Sequence, residues 1–192
     1  MGSDVDVLFN RGVELYTSGH YPEALACFDK ALSLDPEDAD CWKNRGIALD
    51  ALGRANEAVA SYDKALELRP GDATIWLARG NSLNLSGEYE EAVSSCDLAI
   101  ALRPGDPIAW FIRGNALNGQ NSLSEAVESY DRAIALKPDY CEAWYNKGNT
   151  LLELRRYKDA AEAYEKAIAI DPGHADAKHN REMALKGSES RP

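Results

Sequence analysis

Cysteine and histidine are the residue types in this chain that most often carry thiol or metal chemistry. The four cysteines show no CxxC spacing and do not group with any histidine in a zinc-ligand pattern. Cys41 and Cys141 fall at predicted helix starts, where a thiol pKa can be lowered, but no histidine is placed to act as a base. No phosphate-binding glycine loop, carboxylate pair or nucleophile–base pair stands out either. We therefore predict that the thiols are reduced and packed in the fold, and that the histidines are solvated on the surface. We predict no metal, no cofactor and no catalytic site. The cysteines are Cys27, Cys41, Cys96 and Cys141, and the histidines are His20, His174 and His179.

A row of asparagines offers a different chemistry, which is hydrogen bonding to a peptide backbone. Asn81, Asn115 and Asn149 are spaced 34 residues apart, and Asn84 and Asn118 follow the same step. A carboxamide has a carbonyl acceptor and two N–H donors, so such a row can bond a passing peptide without requiring a particular side chain. Asparagine also suits a solvated helix face, and this alternative stays open.

The 34-residue step belongs to the whole chain and defines the elements that position these side chains. Within the last unit Trp144, Gly148 and Leu151 lie at steps of four and three, which places them on one face of a helix. A second run with the same spacing follows, so each unit is predicted to be two amphipathic helices that must stack on their neighbours. The repeating columns include Gly12, Gly46, Gly80, Gly114 and Gly148, and Pro36, Pro70, Pro104, Pro138 and Pro172.

At this point the chain resembles the tetratricopeptide-repeat family, whose W-x2-L-G-x2-Y, A-x3-F, A and P pattern is visible in the fifth unit, CEAWYNKGNTLLELRRYKDAAEAYEKAIAIDP. The resemblance implies an all-α fold, an α-solenoid in which helix-turn-helix repeats form a right-handed superhelix. We expect a C-terminal capping helix over 175–186 and a disordered tail over 187–192. The five predicted repeats span 5–38, 39–72, 73–106, 107–140 and 141–174.

The turn between the two helices of a unit carries a family glycine only in the first three units. The first three units have Gly19, Gly53 and Gly87 there, whereas the fourth and fifth units have Asn121 and Arg155 at the equivalent position. Asparagine tolerates a left-handed backbone and arginine does so less readily. The inter-helix turn of the fifth unit is therefore expected to differ.

Charged columns that stay constant in every unit are assigned to the fold. Arginine or lysine lies three residues after each recurring tryptophan, as in Arg45 and Lys147, and aspartate or glutamate lies on each second helix, as in Asp29 and Asp131. The recurring tryptophans are Trp42, Trp76, Trp110 and Trp144. We expect the two columns to pair between helices while their stems pack over apolar surface.

A variable stripe on each first helix is the candidate binding surface. It comprises the second, fifth, ninth and twelfth positions of each unit, about a third of a turn from the tryptophan face. The resemblance implies that this stripe looks onto a concave groove that holds protein segments. The predicted peptide-binding residues in it are Asn81, Asn84, Asn115, Asn118, Asn149, Phe111, Tyr145, Leu77, Lys43 and Phe9.

The leading hypothesis is a non-enzymatic scaffold that binds a protein or peptide in this groove. The net charge of −11 opposes nucleic acid and anionic lipid as partners. No membrane segment or signal peptide is evident, so a cytoplasmic location is expected. The Lys and Asn pattern by which family members grip chaperone C-termini is not matched, since Lys43 is followed at the ninth position by Ile47. The alternatives are self-assembly through the exposed end of the first unit, around Val5, Val7 and Leu8, or an adaptor fragment of a larger protein.

Overall fold

The computed structural model describes residues 4–189, and every regular element in that range is an α-helix. The predicted all-α solenoid class is thereby confirmed. Successive helices pair into hairpins, α1 with α2 through α9 with α10, and α11 packs on α10. The helices are α1 Asp4–Thr17, α2 Tyr21–Leu34, α3 Ala39–Ala51, α4 Ala55–Leu68, α5 Ala73–Ser86, α6 Tyr89–Leu102, α7 Pro107–Gly119, α8 Leu123–Leu136, α9 Cys141–Glu153, α10 Tyr157–Ile170 and α11 Ala175–Glu189.

Aspartate caps start three of the first helices of the repeats. The carboxylate of Asp38 accepts hydrogen bonds from the backbone N–H groups of Asp40 and Cys41. Asp72 and Asp106 likewise cap α5 and α7. These side chains satisfy N–H groups that have no partner inside the helix, which fixes where each repeat begins.

The turns between paired helices all use a residue with a left-handed backbone. Gly19, Gly53 and Gly87 have φ values of 78°, 72° and 85°, and Asn121 and Arg155 have φ values of 64° and 58°. The prediction of a different turn in the fifth repeat was therefore wrong. Stacking of both flanking helices fixes the turn geometry, and Arg155 accepts the local cost of it.

The glycine column is required by a close approach of aromatic rings. A Cβ atom added at Gly148 would lie 2.6 Å from the ring of Tyr164, and one at Gly46 would lie 2.5 Å from the ring of Tyr62. The ring of the second helix thus packs directly on the backbone of the first. In the third repeat a Cβ atom added at Gly80 would instead lie 2.9 Å from Cys96 Sγ.

The chain divides into two compact units, and each has its own core. Unit 1 extends to Leu102 and unit 2 begins at Arg103. The core of unit 1 includes Phe28, Leu49 and Tyr62, and all three are almost completely buried. The core of unit 2 is rich in alanine and is centred on the buried residues Leu151, Ala160, Tyr164, Ala167 and Ala177.

The last helix is longer than the sequence predicted. α11 continues through Gly187, Ser188 and Glu189, which were predicted from the sequence to lie in a disordered tail. Gly187 packs closely on the ring of Tyr157, and the Ser188 hydroxyl donates a hydrogen bond to the carbonyl of Leu185. Residues 190–192, the remainder of the predicted tail, lie outside the described range. Across 4–189, no helix combines the length and apolarity that a bilayer crossing demands.

Candidate functional site

Within the stripe, the residue at the fifth position of each repeat is half-buried. These residues are Phe9, Lys43, Leu77, Phe111 and Tyr145. Phe9 packs against the core of unit 1, since its ring centroid lies 6.0 Å from that of Phe28. Each of these side chains therefore keeps part of its surface open while the rest is held by the fold.

Lys43 is not an isolated cation. Its ammonium lies 3.3 Å from Asp40, and the same carboxylate binds the guanidinium of Arg69 at 2.8 Å. The hydrogen bond from Arg69 is the main reason that the pKa of Asp40 is lowered. Lys43 is thus one member of a surface charge network, and the nearby Asp40 carboxylate weakens its electrostatic attraction for an anionic ligand.

Asp50 links two repeats within unit 1. Its carboxylate accepts hydrogen bonds of 2.7 Å from the hydroxyl of Tyr62 and from the hydroxyl of Ser82. Burial raises the pKa of Asp50 above its usual range, and the two hydroxyls oppose that rise. This twelfth-position residue therefore holds α3, α4 and α5 together.

Asn81 and Asn84 lie on α5 in unit 1 and are half-buried. Neither side chain takes part in the hydrogen bonds that join helices within the described residues. Their carboxamides are therefore left to solvent or to a ligand.

Asn115 and Asn149 in unit 2 differ from Asn81 and Asn84, because the side chain of each is hydrogen-bonded to two other helices. The carbonyl oxygen of Asn115 accepts hydrogen bonds from the Tyr130 hydroxyl and the Asn146 carboxamide, both at 2.9 Å. That of Asn149 accepts one of 2.7 Å from Tyr164 and one of 3.1 Å from Asn180. Each asparagine thereby joins its own second helix to the first helix of the next repeat.

Asn118 completes the predicted row in unit 2. Its carbonyl oxygen lies 3.0 Å from the hydroxyl of Thr150, which also lies 2.9 Å from the carbonyl of Asn146. Three of the five predicted asparagines therefore join helices within unit 2, whereas Asn81 and Asn84 join no helices within unit 1.

Two aromatic clusters flank these asparagines, and we call them the aromatic ledges of repeats four and five. The fourth-repeat ledge is Phe111 with Tyr140, whose ring centroids are 4.9 Å apart. The fifth-repeat ledge is Tyr145 with His174, at 4.6 Å. All four side chains are half-buried, so each ledge presents apolar surface.

Tyr140 and His174 were not among the sequence-predicted site residues. His174 was predicted to be solvated, but it is half-buried against Tyr145, and its Nδ1 accepts a hydrogen bond of 3.4 Å from the backbone of Ala177. A signal for both was present, because the position that carries the capping residues Asp38, Asp72 and Asp106 becomes aromatic in the last two repeats.

The constant charged columns serve the fold, as predicted. The guanidinium of Arg45 binds Asp29 of the preceding repeat at 2.7 Å and the Ser61 hydroxyl of its own repeat at 2.7 Å. Arg79 makes the same pair of contacts with Asp63 and Ser95. The tryptophans are half-buried, and each indole N–H donates to the carbonyl of the proline six residues earlier, as in Trp42 and Trp144.

The thiols at helix starts are not activated. Burial raises the pKa of Cys41 to about 12, and it also raises the pKa of Cys141. Neighbouring carboxylates add to both effects, which outweigh any lowering by the helix start. Both thiols point at backbone carbonyls, of Phe28 and Ala167 respectively. Between residues 4 and 189, His, Cys, Asp and Glu side chains nowhere form a group of three that is suited to hold a metal ion.

Comparison with known proteins agrees with this architecture. The family model described as tetratricopeptide repeat matches residues 9–73, 45–107, 99–140 and 113–175. No curated protein sequence matches the chain significantly.

Solved structures provide geometric relatives. A MamA fragment from Desulfovibrio magneticus RS-1 is 25% identical with a TM-score of 0.84, and the match covers 91% of this chain and 99% of that one. YrrB, described as a TPR protein with an unusual peptide-binding site, is 27% identical with a TM-score of 0.78, over 91% of this chain and 90% of YrrB. TTC0263 from Thermus thermophilus is 22% identical with a TM-score of 0.71, over 95% and 99% of the two chains, and supports the fold alone.

Because the family model matches in successive overlapping windows from residue 9 to residue 175, the chain belongs to the tetratricopeptide-repeat family of interaction scaffolds.

Proposed function

We propose that the chain binds a segment of another protein along the first-helix stripe and performs no catalysis itself. One observation carries the proposal: the stripe holds half-buried apolar side chains beside carboxamides that the fold leaves open, as at Leu77, Asn81 and Asn84. Apolar anchors supply affinity, and open amide groups supply hydrogen bonds to a peptide backbone.

The family and one relative support this assignment. Tetratricopeptide repeats present protein or peptide partners with a surface built from stacked helix pairs. YrrB, to which this chain is similar, is described as having a peptide-binding site. A net charge of −11 argues against nucleic acid as the ligand.

The test begins with selection of binding peptides from a displayed random library against the full chain. The dissociation constant of a selected peptide is then measured for the wild-type protein and for a variant with Asn81→Ala and Asn84→Ala. Since neither asparagine joins helices within unit 1, folding should be preserved, and we expect affinity to fall about tenfold. The matched control is Asn56→Ala, an exposed asparagine near the start of α4.

If the wild type and the double variant bind the peptide with equal affinity, the unit 1 part of the stripe does not contribute to binding. Phe111→Ala then examines unit 2 with the same peptide. If neither variant differs from the control, the stripe is not the binding surface and the proposal fails.

Self-association is the second candidate function. Val7 on α1 is 62% exposed, and Met183 on α11 is 52% exposed. Exposed apolar residues on terminal helices of a repeat array can stack on another copy. Light scattering across a concentration series tests this candidate, with Val7→Lys as the variant. A molar mass that stays that of one chain at every concentration would reject it.

A further inference from the structure

The fourth-repeat ledge is formed where the chain departs from a local rule that the earlier repeats obey. The residue before α9 is Tyr140, and its side chain makes no capping hydrogen bond. Before α3, α5 and α7 the same position is a capping aspartate. Loss of such a cap costs about 1 kcal/mol of helix stability. Places where a sequence departs from its own folding rules tend to be functional sites.

The asparagines beside the ledges present only hydrogen-bond donors. Both lone pairs of the Asn115 carbonyl oxygen are occupied, by Tyr130 and Asn146, and both of Asn149 are occupied, by Tyr164 and Asn180. Each lies four residues after its ledge aromatic, Phe111 or Tyr145, and so shares the same helix face. The open group in each case is the carboxamide N–H, which selects a ligand that offers carbonyl acceptors.

The spacing of the helices that carry the ledges limits the ligand backbone. α7 and α9 are joined directly by the Asn146–Asn115 hydrogen bond, and packed helices have axes about 8–10 Å apart. A polyproline II chain advances about 3.1 Å per residue, so its third residue returns to the same face after about 9 Å. A β-strand returns to the same face at about 6.6 Å, which is too short. An α-helix matches the spacing, but its carbonyl groups are already used within the helix.

Charge around the ledges favours a basic ligand. The carboxylates of Glu142 and Asp106 lie close enough to Tyr140 to add to the rise in its pKa that burial causes. Glu153 acts in the same way on Tyr130 and Tyr164. Lys137 lies over the ring of Tyr140, at 4.7 Å, and offsets part of this negative charge.

We propose that the ledges of repeats four and five bind a proline-rich basic segment in the polyproline II conformation, with an apolar side chain at every third residue. This inference rests on the proposed function. The apolar side chains pack on the two ledges, the carboxamide nitrogens of Asn115 and Asn149 donate to backbone carbonyls, and the basic side chains face Glu142 and Glu153. Aromatic surfaces are suited to polyproline II because that conformation is preformed and its carbonyls are free.

The test uses a fluorescent peptide of about twelve residues that repeats Leu-Pro-Arg, so that leucine recurs once per turn of the polyproline II helix. Its affinity for the full chain is measured by fluorescence anisotropy. A peptide of the same composition with its leucines grouped together removes the spacing, and a Leu-Pro-Glu repeat reverses the charge. We expect the grouped and acidic peptides to bind at least about tenfold more weakly.

The decisive variant is Tyr140→Asp with His174→Asp, which restores the capping residue of the earlier repeats. Thermal stability should be kept or increased, because aspartate adds a missing cap before α9 and replaces the one that His174 Nδ1 already gives α11. Affinity for the Leu-Pro-Arg peptide should fall at least about tenfold. The two added carboxylates attract a basic peptide, so a loss of binding cannot be attributed to charge repulsion. The matched control is Tyr89→Asp, which exchanges tyrosine for aspartate at the start of α6 in unit 1.

Equal binding of the grouped peptide, unchanged binding by the ledge variant, or no binding of the Leu-Pro-Arg peptide by the wild type would each overturn the inference. The proposed function fails separately. If a library-selected peptide loses affinity with the Asn81 and Asn84 variant but not with the ledge variant, the stripe is the binding surface and only the polyproline II assignment is wrong.

Discussion

At the residue scale, Arg155 bears the least favourable backbone conformation in the described chain. Its φ of 58° lies in the left-handed region, where three of the five equivalent turns have glycine. A residue with a Cβ atom is strained there by roughly 1–2 kcal/mol. Glycine removes this strain, but its greater conformational freedom in the unfolded state offsets part of the stabilisation. We therefore expect Arg155→Gly to stabilise the protein by about 0.5–1 kcal/mol in urea unfolding. Asn121→Gly should gain less, and an equal or larger gain for Asn121 would contradict this explanation.

Asp50 provides a prediction about pH. Because burial raises its pKa above the usual 3.8, the folded state holds this proton more tightly than the unfolded state does. The stability associated with the protonated carboxyl is complete below pH 3.8 and is lost as the pH rises through the raised pKa.

Asp50→Asn removes this pH-dependent loss and keeps an acceptor for Tyr62 or Ser82. We expect the variant to be more stable than the wild type at pH 7, by about 1 kcal/mol or less because the carboxylate is partly solvated. The difference should vanish below pH 3.8, as measured by unfolding at both pH values. A variant that is less stable at pH 7 would show that the two hydroxyl bonds require a charged acceptor.

At the element scale, the fifth repeat lacks the arginine-to-serine contact that joins the two helices of an earlier repeat. Lys147 binds Asp131 of the preceding repeat at 2.5 Å, but Ala163 stands where Ser61, Ser95 and Ser129 accept from an arginine. A cleft of about 480 Å³ lies beside Lys147. A planar guanidinium can reach two partners, which an ammonium on this stem does not do here.

Lys147→Arg combined with Ala163→Ser should restore the contact between α8, α9 and α10. We expect the double variant to gain about 0.5–1.5 kcal/mol in urea unfolding, more than the sum of the two single variants. Additive single effects would indicate that the new hydroxyl and guanidinium do not meet.

The sequence predicted the elements well because each is encoded locally and repeated. Trp144, Gly148 and Leu151 fix a helix face by spacing alone, and the same spacing occurs in each unit. The turn at Arg155 was missed since stacking of the flanking helices, not the residue itself, determines its backbone.

The candidate site was predicted less completely. The stripe was predicted from its variability, and the binding role of Asn81 and Asn84 stays a prediction. The structural duty of Asn115 and Asn149 depends on tyrosine hydroxyls that come from other helices. The ledges need Tyr140 and His174, which lie in turns and meet the stripe only after the hairpins fold.

At the scale of the whole molecule, comparison of the repeats distinguishes contacts that stabilise the fold from surfaces that can bind a partner. Contacts that recur in several repeats, such as Arg45 with Asp29 and Arg79 with Asp63, hold neighbouring hairpins together. Features that change from repeat to repeat, such as the ledges of repeats four and five, are free to match a partner. Each unit carries its own part of the stripe, with open carboxamides in unit 1 and aromatic ledges in unit 2.

NMR of the asparagine side-chain amide groups during addition of a selected peptide shows whether the stripe holds a protein segment. We expect the carboxamide signals of Asn81, Asn84, Asn115 and Asn149 to shift on saturation, whereas that of Asn56 on α4 stays unchanged. Shifts at Asn56 without shifts of the stripe asparagines would place the binding surface elsewhere on the chain and refute the proposed function.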